Sequence, residues 1–207
     1  MEERFKASEL ALAEDGSLYH IRLHEDELAE NVILVGDPNR VKDVSQFFDK
    51  IEVKKSNREI VSHTGYYKGK HITALSTGMG VDNLDIVVTE LDACKNIDLS
   101  TREIKQKHTT LNLIRLGTTG AMQKDMNINS YICSKYVVGI DGMMWFYHSK
   151  EEILEKNLQK EFIKHMSWNS LLPTPYCCKA SETLLQQIAF DIKQGITITA
   201  PGFYGPQ

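Results

Sequence analysis

The apolar positions near the start of the chain form a short β-branched run that ends in a turn. Residues 32–35 read Val-Ile-Leu-Val, which predicts a buried strand. The run ends at Gly36-Asp37-Pro38, where Asp37 can cap a helix and Pro38 can occupy the first helical turn. The sequence therefore predicts a strand, a tight turn and a helix start over this segment.

A hairpin and an amphipathic helix are predicted next. Residues 60–67 and 71–76 alternate apolar and polar positions on either side of Gly69, which is typical of a β-hairpin. After a glycine-bearing loop at 77–80, apolar side chains recur at helical spacing, namely Leu84, Val87, Val88 and Leu91. Residues 111–116 form another apolar strand that ends in the glycine-bearing loop 117–120. The order of strand, glycine-bearing loop and helix is thus expected three times.

The later part of the chain continues the alternation of strands and helices. The predicted elements are a strand at 131–140, a helix at 151–165, a helix with the stripe Leu184, Ile188 and Ile192, and a strand at 196–200. Such alternation predicts an α/β fold, in which ligands bind in the loops at the carboxyl ends of the strands. With 207 residues and 42% hydrophobic content, we expect 1–207 to form a single domain.

Charge and cysteine content exclude several classes of function. The net charge of −4 comes from 24 basic and 28 acidic residues spread along the chain, so no basic face for nucleic acid is predicted. No segment approaches the roughly 20 consecutive apolar residues that a membrane span needs, and a cytoplasmic protein is expected. The four cysteines lack C-x-x-C spacing and are interpreted as reduced thiols rather than metal ligands.

Two arginines stand next to glycine-bearing turns. Arg40 falls one turn into the helix predicted after Gly36, and Arg115 directly precedes the loop 117–120. Glycine lets backbone N–H groups approach a phosphate, and a guanidinium matches phosphate oxygens in a bidentate way. An arginine near a turn is more often a solvated surface residue, but a charge that closes an apolar strand is costly unless it is paired or lies at the strand's mouth.

Six motifs occur together and in a characteristic order. They are Tyr19-His20-Ile21, Val35-Gly36-Asp37-Pro38-Asn39-Arg40-Val41, Ser56-Asn57-Arg58-Glu59, Ser76-Thr77-Gly78-Met79-Gly80, Arg115-Leu116-Gly117-Thr118-Thr119-Gly120-Ala121 and Gly202-Phe203-Tyr204-Gly205-Pro206-Gln207. In this combination the chain resembles the uridine phosphorylase branch of the trimeric or hexameric nucleoside phosphorylase family. The resemblance implies a three-layer phosphorylase-type fold, with a central mixed sheet flanked by helices.

The resemblance also implies a phosphate site. The family's phosphate ligands correspond here to Gly36, Arg40, Arg58, Arg115 and Thr118. Arg40, Arg115 and Thr118 are the expected catalytic residues. Arg58 is expected to come from a neighbouring subunit, which implies a homo-oligomer built from dimers with shared sites, either a homodimer or a hexamer.

Ribose, base and cation contacts follow from the same resemblance. His20 would reach the ribose 5′-hydroxyl across the dimer interface, and Thr118 would touch both ribose and phosphate. Phe203 would pack on the base and Gln207 would pair with a pyrimidine edge. Glu59, Asn83 and the carbonyl of Met79 match positions that hold a monovalent cation in some members. No other cofactor is expected, since inorganic phosphate is a co-substrate.

The implied reaction is phosphorolysis of uridine to uracil and ribose 1-phosphate in pyrimidine salvage. A purine nucleoside phosphorylase or a nucleosidase of the same fold is an alternative, although three phosphate-matching arginines oppose hydrolysis. The family continues beyond the position of Gln207 to a further base-contacting arginine and an E-M-E-S-like segment that grips the ribose. We therefore expect the C-terminal part to be missing, in a truncated enzyme or in a shortened, non-catalytic nucleoside-binding subunit.

Overall fold

The structure is a computed structural model that describes residues 4–148 and 150–205. Contacts between residues divide the chain into two units, Met1–Thr119 and Gly120–Gln207. The single domain expected from the composition stays a prediction. Across the residues described, no helix is both long enough and apolar enough to cross a bilayer.

The first unit contains a five-stranded sheet and two α helices. In chain order its elements are β1 (Asn31–Val35), α1 (Pro38–Ser45), β2 (Lys50–Asn57), β3 (Ile60–Tyr67), β4 (Lys70–Ser76), α2 (Val81–Asn96), β5 (Ile97–Asp98), β6 (Glu103–Ile104) and β7 (Asn112–Leu116), preceded by a 3-10 turn at Glu25–Glu27. The five strands lie in the order β2-β3-β4-β1-β7, while β5 and β6 form a separate ribbon.

The large sheet is mixed, as the family resemblance implies. Strand β1 pairs in parallel with β4 and with β7, whereas β2–β3 and β3–β4 pair antiparallel. The β3–β4 hairpin turns at Lys68 and Gly69, both with positive φ, which confirms the turn expected at Gly69. The cap after β1 is also confirmed, because Asp37 Oδ1 accepts a hydrogen bond from the Asn39 N–H at 2.9 Å and Pro38 begins α1.

The two faces of this sheet are covered by different helices. On one face, Val32 and Leu34 pack in a core with Val87 and Leu91 of α2. On the other face, a smaller core contains Val35, Val41, Ala74 and the half-buried residues Ile33 and Val44. Alternate residues of β1 therefore face α2 and α1, the period of two expected for a strand that is buried on both sides.

The second unit contains a three-stranded mixed sheet. Its elements are β8 (Ile132–Gly139), α3 (Lys156–His165), β9 (Tyr176–Lys179), α4 (Glu182–Ile188) and β10 (Lys193–Thr199), with 3-10 turns at Met143–Phe146 and Lys150–Glu152. The strand order is β10-β8-β9, in which β8 pairs in parallel with β10 and antiparallel with β9.

Three predicted elements differ from the structure. No helix directly follows the loop 117–120, where the next element is β8, because the described segment 121–131 is rich in turn-favouring Asn, Asp and Ser and includes Asn129 at φ 66°. The helix predicted from 151 begins only at Lys156, since the Glu155 N–H donates to the Cys177 carbonyl and Leu154 bridges to Cys178. Helix α4 ends before Ile192, which lies in the turn that leads into β10.

Candidate active site

Three parallel strands end together at one edge of the first unit's sheet. The register places Val35 beside Ser76 of β4 and beside Leu116 of β7. The loops that begin at Gly36, Thr77 and Gly117 therefore start side by side. A hydrogen bond of 2.8 Å from the Thr77 N–H to the Val35 carbonyl holds two of these loops together. This edge is where α/β folds bind ligands.

Arg115 lies at this edge between two glycines. A Cβ placed on Gly36 would stand 3.8 Å from Arg115 Nη2 and 3.8 Å from the Gly78 carbonyl oxygen. A Cβ placed on Gly117 would stand only 2.7 Å from Arg115 Nη1. The absence of side chains at both positions leaves the guanidinium next to exposed backbone. The structure thus brings Gly36 and Arg115, two of the residues predicted for the phosphate site, into proximity.

Arg40 approaches the same edge from the other face of the sheet. Arg115 is paired in register with Leu34, which packs on the α2 face, whereas Arg40 belongs to α1 on the opposite face. Arg40 lines an open depression of about 390 Å³ together with Leu116 and Gly117. Arg115 and Thr118 are not among the residues that line it. The depression beside Arg40 is therefore not shared with Arg115, and the two side chains belong to opposite faces of the sheet.

Thr118 and Arg115 are both exposed, and they lie at the carboxyl end of β7. This position accounts for the charge at the end of an otherwise apolar strand, because the guanidinium is not enclosed by the core. An exposed guanidinium beside open backbone is a suitable partner for an anion.

Arg58 lies at the same edge but on a distant strand. It occupies the two-residue turn between β2 and β3 with φ 54°, and it is exposed. Strand β2 is three positions from β1 in the sheet, which corresponds to roughly 14 Å at the usual strand spacing. Arg58 is therefore separated from Gly36 within one chain, and the expectation that it serves a second copy stays a prediction.

His20 is held by a buried carboxylate that the sequence motifs did not indicate. Glu90 Oε1 lies 2.6 Å from His20 Nδ1, and the backbone N–H groups of His20 and Ile21 donate to Glu90 Oε2 at 3.0 and 2.8 Å. The sequence offers one indication that Glu90 has a buried partner, because Glu90 falls on the same helical face as Val87 and Cys94, which are buried. A carboxylate on a buried helical face requires partners.

His20 and Arg58 are carried by neighbouring segments. The Asn57 side chain donates to the carbonyls of His20 and Tyr19 at 3.0 and 3.2 Å. The Arg58 guanidinium lies 6.0 Å from the centre of the Tyr19 ring, and that of Arg22 lies 5.5 Å from it. The β2–β3 turn and the segment around His20 are therefore linked by hydrogen bonds and by cation–π contacts.

The three residues predicted for a monovalent cation also meet. Asn83 Nδ2 donates to Glu59 Oε1 at 3.0 Å and to the Met79 carbonyl at 3.1 Å. The amide nitrogen therefore occupies the point at which the two oxygens converge. This donor set fits a cation only if the Asn83 amide turns to present its oxygen, since a cation needs oxygen ligands.

Phe203, the first of the two base-contacting candidates, lies in the second unit. Phe203 is exposed, and its ring packs edge-on against Tyr204 with centroids 5.1 Å apart. Gln207 lies outside the described residues.

The sequence comparisons decide the family. The model of the phosphorylase superfamily matches residues 30–207. The chain belongs to the phosphorylase superfamily. Within that superfamily it is 35% identical over 142 residues to a uridine phosphorylase of Thermococcus kodakarensis, over 69% of this chain and 46% of the relative. It is also 36% identical over 114 residues to a DeoD-type purine nucleoside phosphorylase of Bacillus thuringiensis, over 55% of this chain and 43% of the relative.

Solved structures of the phosphorylase superfamily share the fold. The structure of a Trypanosoma brucei nucleoside phosphorylase described as showing uridine phosphorylase activity matches with a TM-score of 0.77 and 26% identity. That match covers 96% of this chain and 71% of the trypanosomal one. The predicted family and the mixed α/β fold class are confirmed. The chain spans less than half the length of the two sequence relatives.

Proposed function

We propose that this protein is a nucleoside phosphorylase that converts uridine and inorganic phosphate to uracil and ribose 1-phosphate. The observation that carries the proposal is the position of the Arg115 guanidinium beside Gly36 and Gly117 at the shared edge of three parallel strands. A phosphate there would meet a bidentate donor and the backbone of two glycines, which carry no side chain of their own.

The chemical requirement is electrostatic. Phosphorolysis needs a phosphate dianion aligned with the anomeric carbon while the sugar develops positive charge and the leaving base develops negative charge. Arg115 would hold the phosphate, with Arg40 approaching from α1 and Thr118 bridging to the ribose. Phe203 and Gln207 would contact the base. The protein supplies no covalent nucleophile in this scheme.

The proposal includes a second copy of the chain. Arg58 and His20 would enter the partner's site, so that each site of a homodimer, or of a hexamer built from dimers, is shared. Arg58 supports this part of the proposal, because it lies at the correct edge of the sheet but far from Gly36 within its own chain. Such an enzyme would act in pyrimidine salvage in the cytoplasm.

A purine nucleoside phosphorylase is the second candidate. The observation that favours it is the 36% identity to the Bacillus enzyme over 114 residues, beside 35% over 142 residues for the Thermococcus uridine phosphorylase. The residues around the phosphate would serve either base equally, since they touch the half of the substrate that purine and pyrimidine nucleosides share.

The test is to incubate the purified protein with uridine or inosine, with and without phosphate, and to quantify free base and ribose 1-phosphate. We expect uracil and ribose 1-phosphate in equal amounts, and only with phosphate. Faster turnover of inosine than of uridine would show that the protein prefers a purine nucleoside. Release of free ribose without phosphate would contradict phosphorolysis and indicate a nucleosidase.

Matched variants on α1 link the activity to the site. Arg40→Ala should reduce phosphorolysis about tenfold or more, because it removes a charged phosphate donor. Lys42→Ala removes an exposed cation from the same helix and should leave the rate unchanged.

A further inference from the structure

Glu90 is a carboxylate on a helical face that is otherwise buried among apolar side chains. Its side chain is 9% exposed, and its neighbours in the stripe of α2 include Val87, Leu91 and Cys94. Burial strongly disfavours a carboxylate without hydrogen-bond donors. The hydrogen bonds that Glu90 accepts come from the segment that contains His20.

The contact with the His20 ring fixes the position of a proton. Glu90 Oε1 lies 2.6 Å from His20 Nδ1. An ionised carboxylate can only accept hydrogen bonds, so Nδ1 must carry the hydrogen. In the neutral ring, Nε2 then has a free lone pair and acts as an acceptor.

The backbone of His20 is fixed on both sides. Its N–H donates to Glu90 Oε2 at 3.0 Å, and its carbonyl accepts from Asn57 Nδ2 at 3.0 Å. The imidazole is 26% exposed, although the backbone of His20 is held by these two hydrogen bonds. A ring that is anchored, oriented and still accessible is arranged to meet an external hydroxyl group.

We infer that Glu90 is the positioning residue of His20, holding the tautomer in which Nε2 accepts a hydrogen bond from the 5′-hydroxyl of a nucleoside. This inference rests on the proposed function, because the hydroxyl belongs to the nucleoside substrate. Glu90 acts only through His20 and does not touch the substrate. A purely structural role would need the backbone N–H contacts alone and would not depend on the tautomer.

The first measurement reads the tautomer directly, without activity. The ¹⁵N shifts of His20 are recorded at a pH where its ring signals no longer titrate, with assignment from the His20→Ala variant. We expect Nδ1–H in the wild-type protein. In Glu90→Gln the amide can still accept from the Ile21 N–H while its NH₂ group donates to Nδ1, which moves the proton to Nε2.

The control is Asp92→Asn, a change from carboxylate to amide at an exposed position of the same helix. It should leave the His20 signals unchanged, because its oxygen can still accept from Asn96. A wild-type protein with the proton on Nε2 would overturn the inference even if Glu90→Gln failed to fold.

The second measurement compares uridine with 5′-deoxyuridine, which lacks the hydroxyl. Glu90→Gln should lower kcat/KM about fivefold on uridine and less than about twofold on 5′-deoxyuridine, in line with the loss of one hydrogen bond. An equal loss on both substrates would show that Glu90 only anchors the segment. If the wild-type protein turned over neither nucleoside, the proposed function would fail, and the tautomer alone would decide whether Glu90 orients His20.

Discussion

Arg115 Nη2 lies 3.8 Å from the position that a Cβ would take on Gly36. The two residues belong to different strand–loop junctions that the parallel pairing of β1 and β7 brings together. The glycine leaves room beside the guanidinium for a ligand the size of a phosphate oxygen. This relationship predicts how substitutions at the two junctions behave.

Gly36→Ala should impair phosphate use without impairing folding. The added methyl group would meet Arg115 Nη2 and the Gly78 carbonyl at ordinary contact distance, so the fold has no need to shift. The methyl would occupy the space proposed for the anion. We expect the KM for phosphate to rise about tenfold, equivalent to about 1.4 kcal/mol, while Tm changes by less than about 2 °C.

The matched control is Gly16→Ala, which should show the opposite profile. Gly16 has φ +82°, and no atom lies within 4 Å of the position that its methyl group would take, so a side chain there strains the backbone but meets no ligand. It should lower Tm and leave the phosphate KM unchanged. A normal phosphate KM in Gly36→Ala would argue against an anion at this position.

Gly117→Ala should act through Arg115. Its Cβ would stand 2.7 Å from Nη1, which forces the flexible end of the arginine to move rather than the backbone. We therefore expect a higher phosphate KM, and we expect little further loss when Gly117→Ala is combined with Arg115→Ala. Gly120→Ala in the same loop meets nothing within 4 Å and is the control. Additive losses in the double variant would show that the two residues act independently.

Mixed oligomers test whether sites are shared between copies. Arg58→Ala and Arg115→Ala should each lose most of the activity when phosphate is held near the wild-type KM. In a random mixture, half of the dimers contain one subunit of each variant. One of the two sites in such a mixed dimer is intact, so about a quarter of the wild-type activity should return. The measurement is the specific activity after the variants are unfolded and refolded together. No recovery would place Arg58 and Arg115 in the same chain's site, or in none.

Acid should destabilise the first unit through His63. Burial, with a smaller effect of Lys54, lowers the pKa of His63 below its ordinary value of 6.5, and Ser45 Oγ lies 2.7 Å from its Nδ1. Between the folded and the unfolded pKa of His63, the folded state binds fewer protons than the unfolded state. The stability that depends on neutral His63 is therefore present above pH 6.5 and is lost as the pH falls through the folded pKa.

His63→Gln should therefore weaken the fall in unfolding free energy between about pH 7 and about pH 5, measured by urea titration. His108→Gln, at an exposed position, is the control. An unchanged acid dependence in His63→Gln would exclude this histidine as the cause.

Local rules predicted the elements that surround the site. The cap at Asp37 and the turn at Gly69 were accessible because short-range sterics and hydrogen bonding decide them. Strand β2 was missed because it is an edge strand whose lysines suit an exposed edge but weaken the apolar signal. The start of α3 differs from the prediction because the backbone of Leu154 and Glu155 forms bridging and hydrogen-bond contacts with β9, which is distant in sequence.

The candidate site was only partly accessible from the sequence. Motifs named Gly36 and Arg115, but their proximity depends on β1 lying between β4 and β7, which no local pattern specifies. The opposite faces from which Arg40 and Arg115 approach follow from strand register, which is likewise a property of the sheet. The Glu90–His20 contact joins residues from separate segments and became visible only in the structure.

The central claim is that Arg115 binds the phosphate that attacks the nucleoside. Its most direct test is the dependence of the initial rate on phosphate, at saturating nucleoside, for the wild-type protein, Arg115→Lys and Arg115→Ala. The account predicts that the phosphate KM rises about tenfold or more in Arg115→Ala and less in Arg115→Lys, while the nucleoside KM stays within about twofold. A phosphate KM in Arg115→Ala equal to that of the wild-type protein would contradict it.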